Sequence, residues 1–371
     1  RIAATGAALL IGVTLVSTIA TGAASAKETM NGALATRYSV DIVAMGDDIS
    51  QQMAKDVADI NGVSDTLYAP AVSVTLEKAD GTRPTSALLV GVKSIDQVKR
   101  VMRANLGNAS IDSDSVLMPT YNAQTGKELQ FANGTADFST EWNRDGDATR
   151  SLTLQATQAD YRRVSAQYGA VGFVDESHFT NGDLDAATHV LLVKADTDKS
   201  GVSVDGIYND MQAALEKSAD ATVTGPIAER IVWANMIDSM MMLLVGLIAV
   251  AVLIALVGVA NTLSLSVIER TRESATLRAI GMTRGQLRHS LAVEALLISL
   301  VSGIAGVLLG TLFGWLGAYV VFSMYGKVVF PFEWGINGIV LAVAAVAALL
   351  ASVFPARRAV STPPVEALAE A

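Results

Sequence analysis

The chain has 371 residues, 51% of them hydrophobic, with a formal net charge of −9 and no cysteine. Disulfides, thiol nucleophiles and thiolate metal sites are therefore excluded, and an acidic chain lacks the basic footprint of a nucleic-acid binder. The three histidines, His178, His189 and His289, lie far apart, so no metal site is expected either.

The apolar residues gather in four blocks free of charge, at residues 2–26, 239–268, 295–326 and 334–356. A bilayer core about 30 Å thick takes roughly 20 residues of helix at about 1.5 Å each. A segment in hydrocarbon must satisfy its own backbone, so each block is expected to be a transmembrane helix. The first occupies residues 1–26. Arg1 and the small residues Ala24, Ser25 and Ala26 also fit a cleavable signal peptide. The length of the uncharged run favours a span.

Residues 27–236 are polar and acidic and long enough for a core of their own. Alternation predicts strands at 38–45, 71–77, 86–92 and 189–195, with a short one at 221–224. Helical spacing predicts helices at 49–60, 95–104 and 204–218, and Asn61-Gly62 marks a turn. Residues 115–156 read as short strands. The pattern is α+β, and its last strand–helix–strand unit resembles its first. Neither G-x-S-x-G nor H-E-x-x-H occurs, so no catalytic residues are assigned.

The second span, with its stalk, covers residues 237–268. Its uncharged run would be roughly 45 Å long as helix, more than a bilayer core needs. The surplus suggests a rod continuing toward the outer domain, or an ordinary tilted helix with a linker. The loop 269–288 (ERTRESATLRAIGMTRGQLR) sets Ala275, Leu277, Ala279, Ile280 and Met282 among arginines. It fits an amphipathic helix on the membrane surface, held by anionic lipid or docked on a cytoplasmic partner.

The third span, 289–326, carries Ser302, Gly306, Gly310 and Gly314 at intervals of four. Such a face lets two helices approach closely, within one bundle or between two copies. Glu294 lies near its cytoplasmic end, either a functional intramembrane acid or one that snorkels or pairs with Arg288. An outer loop at 327–333 and a fourth span at 334–356 follow, then a tail at 357–371. Arg270, Arg272, Arg278, Arg284 and Arg288, with Arg357 and Arg358, place the 269–288 loop and the tail in the cytoplasm. Four spans then put the N-terminus inside and the 27–236 domain outside. The expected fold is an α-helical membrane protein with four transmembrane helices and an inserted α+β extracytoplasmic domain.

Several segments resemble a known family. Asn261-Thr-Leu, ERTRE at 269–273, LRAIGMTRGQL at 277–287, Glu294-Ala-Leu-Leu and PARRAVSTPPVEAL at 355–368 are similar to the FtsX-like permease core. The four spans and the large domain after the first resemble MacB-like permeases of ABC transporters. The resemblance implies a permease subunit in the plasma membrane of a bacterium, paired with a second copy or a homologous half. It implies a separate ABC ATPase that holds the ATP and Mg, since this chain lacks a P-loop and binds no cofactor itself. Glu269, Arg270, Arg272, Glu273, Leu277, Arg278, Ile280, Met282 and Arg284 would then form the coupling helix in the ATPase groove. ATP-driven closure would move the stalk and outer domain to export or extract a peptide, antibiotic, lipid or lipoprotein. The alternative is a non-transporting, mechanotransmitting subunit that acts on a signalling partner or cell-wall hydrolase outside. The start at Arg1, directly before a span, also resembles the second repeat of longer permeases.

Overall fold

A computed structural model describes residues 2–77, 83–142, 148–196, 202–269, 281–324 and 326–361. The chain divides into two compact units, Asn31–Trp233 and the pair Arg1–Met30 with Ala234–Ala371. The chain passes between them twice, inside helix α1 (Ile2–Arg37) and inside helix α6 (Pro226–Glu269).

The first unit is built on one nine-stranded sheet. Its strands are β1 (Ile42–Gly46), β2 (Val63–Leu76), β3 (Thr85–Val92), β4 (Ser115–Pro119), β5 (Thr135–Trp142), β6 (Ala148–Ala159), β7 (Ala170–Asp175), β8 (Thr188–Ala195) and β9 (Thr222–Thr224). Strand β2 serves two subdomains. Its first half pairs antiparallel with β8 and its second half with β3.

Around the first half lies the order β9-β1-β8-β2, all antiparallel. Helices α2 (Gln51–Ala58) and α5 (Val204–Leu215) complete two β-α-β units interleaved in the ferredoxin-like manner. The likeness of the first and last units in the sequence is thus the repeat of one motif. Ala54 and Val57 of α2 join Ile207, Met211 and Leu215 of α5 in one core with Ile42, Leu191 and Val193. Ser50 and Ser203 start these helices by accepting from the N–H of Met53 and Gly206. The turn at Asn61-Gly62 is present with Gly62 at φ 96°, where a side chain would also strike Val202.

Around the second half of β2, pairing runs β2-β5-β6-β4-β7-β3 and returns to β2, so these strands form a closed ring. Alternate side chains fill it: Leu76 from β2, Leu89 from β3, Met118 from β4, Phe138 from β5 and Val174 from β7. Helix α3 (Ile95–Val101) covers the outer face through Val98 and Val101, which meet Leu88, Val90 and Phe173. Strand β7 lies outside the expected elements. Gly172 sits at its centre because a Cβ there would come within 2.6 Å of the Met118 sulfur, and that glycine dilutes the strand signal. Strand β1 starts at Ile42 rather than at residue 38, because Tyr38, Ser39 and Asp41 are taken up by non-ladder hydrogen bonds and ion pairs within the sheet unit.

In the second unit, helix α7 (Arg284–Phe322) and helix α8 (Trp334–Ser361) join α1 and α6. Among the described residues, Leu9–Arg37 and Gly285–Phe322 are long and apolar enough to cross a bilayer, and Trp334–Leu349 is a shorter apolar helix. Four such spans were expected. Helix α6 is continuous over all of the run 239–268, though past Gly246 its side chains, Ala249 excepted, lie outside those described. The first helix does not stop at residue 26 but continues to Arg37, through Lys27 and Glu28. Charge ends the apolar run there without ending the helix.

Candidate functional site

The small-residue face of α7 is occupied by α1. A Cβ on Gly306 would lie 2.8 Å from Val13 Cγ1, one on Gly310 2.5 Å from Ser17 Cβ, and one on Gly314 2.8 Å from the Thr18 carbonyl oxygen. Ser302 faces Gly6 in the same register, its Oγ 3.0 Å from where a Cβ of Gly6 would be. Both helices are small along this line, so their backbones touch, which is how helices associate in a solvent as apolar as they are. The matching face on α1 is hydroxylic: Ser17, Thr21, Ser25 and Thr29, four residues apart and almost fully buried. Its signal was present as that spacing within a run otherwise read only for hydropathy.

Helix α8 is held by polar contact as well. Ser17 Oγ donates to Asn337 Oδ1 at 3.0 Å inside the bundle, and Val13, Val307 and Ala344 pack beside it. Between α7 and α8, Trp315 Nε1 donates to the Pro331 carbonyl at 2.8 Å, and Phe330, Phe332 and Trp334 cluster at the same end. Aromatic side chains with a polar edge collect where hydrocarbon meets water. The opposite face of α7 is apolar and bare, with Val301 70% exposed, Leu308 63% and Val320 74%.

Of the residues expected to couple to an ATPase, Glu269 closes α6, and Arg270, Arg272, Glu273, Leu277, Arg278 and Ile280 lie outside the described residues. Met282 is half-buried, Thr283 caps α7 in a reciprocal pair with Gln286, and Arg284 is the first residue of that helix. Glu294 is half-buried on α7, two turns before Ser302.

Sequence reasoning missed a polar junction at residues 38–41, within the sheet unit just after α1. Tyr38 follows α1, and its hydroxyl donates to the Glu229 carboxylate in the first turn of α6, in a very short contact. The Arg163 guanidinium stands 5.5 Å over the Tyr38 ring. Burial and the Glu229 carboxylate push the Tyr38 phenol up to about 12, so it stays a donor at any physiological pH. Ser39 bonds the backbones of Arg103 and Arg163 and, through Oγ, the N–H of Arg162. Asp41 accepts from the Ala195 N–H at 2.9 Å and pairs with Arg103 Nε at 2.6 Å. Tyr38, Ser39 and Asp41 thus gather the residue after the α3 cap, β8, α6 and the loop before β7. In the helical unit, Lys27 of α1 meets Asp238 of α6 at 2.5 Å. These partners are 62 to 211 residues apart and leave no local sequence pattern.

The chain carries a domain matching the family described as FtsX-like permease C-terminal, over residues 245–364. Its relatives are ABC transporter permeases, including MacB-type proteins. It is 34% identical over 114 residues to the macrolide export ATP-binding/permease protein MacB 1 of Aeromonas hydrophila, covering 30% of this chain and 17% of that protein. It is 27% identical over 178 residues to an uncharacterized ABC transporter permease of Methanocaldococcus jannaschii, covering 46% of this chain and 44% of that protein. With the MacB protein of Nitrobacter winogradskyi it shares 32% over 131 residues, 34% of this chain and 19% of the relative. The chain spans less than half the length of each of these relatives.

Proposed function

We propose that this chain is the permease subunit of an ABC transporter, which turns ATP hydrolysis on a partner ATPase into movement of its stalk and outer domain. The match over residues 245–364 carries this reading, because it takes in the coupling segment and the close-packed helix α7. The segment 269–288 docks in the ATPase groove. ATP and Mg reside on the partner, and this chain contributes no catalytic group. In this reading all four apolar blocks cross the plasma membrane, with both termini in the cytoplasm. The bare face of α7 then meets lipid or a second permease copy, a surface that water would oppose and hydrocarbon accepts.

One feature favours the mechanotransmitting alternative over passage of cargo through the outer domain. The ring of strands is filled by Leu76, Leu89, Met118 and Phe138, all essentially inaccessible to solvent. A packed barrel transmits displacement as a solid body and offers no conduit. Export of a peptide, antibiotic, lipid or lipoprotein would run beside it, and an extracytoplasmic partner such as a cell-wall hydrolase would be driven by it.

The test is Leu277→Asp beside Lys327→Asp, a control in the outer loop. A charge placed in a desolvated docking contact costs on the order of several kcal/mol, more than about a hundredfold in affinity. Leu277→Asp should insert and fold yet lose co-purification with the ATPase and permease-dependent ATP turnover, while Lys327→Asp keeps both. Wild-type coupling in Leu277→Asp would remove the docking role, since a lipid anchor among five arginines would tolerate one acid.

A further inference from the structure

Among the described residues, α1 and α6 are joined by a polar contact in each unit. In the sheet unit the Tyr38 hydroxyl, one residue past α1, donates to the Glu229 carboxylate in the first turn of α6. In the helical unit Lys27 Nζ of α1 lies 2.5 Å from Asp238 Oδ1 of α6. The later residue on the α1 side meets the earlier residue on α6, so the pairing is antiparallel. A slide of one helix along the other by a single turn, about 5.4 Å, would part both contacts.

The two contacts are unlike. Lys27 and Asp238 form an exposed ion pair, which contributes little by itself. The Tyr38 contact is built into a core. Tyr38 and Leu34 are buried on the α1 side, as are Ile227 and Ala228 on the α6 side. The Ile227 N–H, which has no acceptor inside its own helix, bonds the Asp41 carbonyl at 3.4 Å. The Tyr38 N–H bonds the Leu34 carbonyl at 3.2 Å, and Arg163 covers the ring while its Nη2 donates to the Ala123 carbonyl at 2.7 Å. An acid in the first turn, Glu229, is favoured there by the positive end of the helix. Both partners are thus fixed before they meet, and little further ordering is needed to form the bond. Packing holds each helix end to the sheet, and the phenol links the two ends to each other.

We propose that Tyr38 is a positioning residue that acts through Glu229. It fixes the end of α1 to the start of α6, so the two helices enter the sheet unit as one tied pair and a displacement of either is carried to the same sheet. The source of that displacement rests on the permease reading, but the tie itself does not.

The experiment is amide hydrogen exchange on the full chain in lipid nanodiscs, without ATPase or ATP. Tyr38→Phe keeps the buried ring and removes only the hydroxyl. It should open peptides covering both 31–40 and 225–233 about tenfold, the worth of a hydrogen bond to a charged group. Glu229→Ala should do the same, and the double variant should go no further, because one bond is lost only once. Glu229→Gln should keep both peptides near wild-type protection, since its carbonyl accepts the same hydroxyl. Peptides over β3 and α4 (Ser177–Thr180) report the fold of the sheet unit and should not change in any variant. Wild-type exchange in Tyr38→Phe, or opening of 31–40 alone, would overturn the joint. Neither result touches the permease reading, which falls instead with wild-type coupling in Leu277→Asp.

Discussion

Gly310→Leu is expected to disrupt the helical unit, costing about 3 kcal/mol or more. A Cβ there would lie 2.5 Å from Ser17 Cβ, 2.6 Å from the Thr14 carbonyl oxygen and 3.0 Å from the Thr18 nitrogen. Two of those atoms are backbone, so no rotamer change relieves the overlap and α1 must separate from α7. Separation also breaks the Ser17–Asn337 hydrogen bond that ties α8 to α1. Gly317 is the matched control, on the same helix with nothing within 4 Å of its Cβ. Gly317→Leu should survive heating in detergent as the wild type does, while Gly310→Leu aggregates at lower temperature. Equal melting of the two variants would remove the α1–α7 contact from the account.

Asp41→Ala is expected to cost the sheet domain about 2–4 kcal/mol. The carboxylate is 10% exposed, answers the buried Ala195 N–H and pairs with Arg103, whose Nη2 donates to the Ala195 carbonyl. Removing it orphans a backbone donor at the end of β8 and frees a half-exposed guanidinium together. Asp41→Asn keeps an oxygen for Ala195 and loses only the charge, so its cost should be about 1 kcal/mol. For a unit of this size each kcal/mol is roughly 2–4 °C in melting temperature. Thermal unfolding of both variants therefore separates the hydrogen bond from the ion pair. An Asp41→Ala protein that melts with the wild type would show that the junction at 38–41 adds nothing to stability.

The apolar blocks and the glycine face of α7 were legible in the sequence because each depends on local composition or on spacing along one helix. The face's partner was not, since spacing says that a close neighbour exists without saying which helix it is. The reach of α1 to Arg37 was hidden because hydropathy ends at Lys27 while helix formation continues through Lys, Glu, Met and Ala, all good helix formers. Strand β2 was seen only from residue 71. Asp65 and Pro70 break the alternation before that, although register with β8 runs from Val63 to Ala71. The closed ring and the 38–41 junction rest on contacts between distant residues, for which one sequence carries no periodic signal.

The proposed permease stands or falls on two segments lying on opposite faces of the membrane: the sheet domain outside, and the coupling segment with the C-terminus inside. The absence of cysteine makes this directly measurable with single introduced thiols. Lys99→Cys sits on the exposed surface of α3, and Ser361→Cys ends α8. On intact cells an impermeant maleimide should label Lys99→Cys, and should reach Ser361→Cys only after the membrane is permeabilised. Labelling of both from the same side would contradict the account.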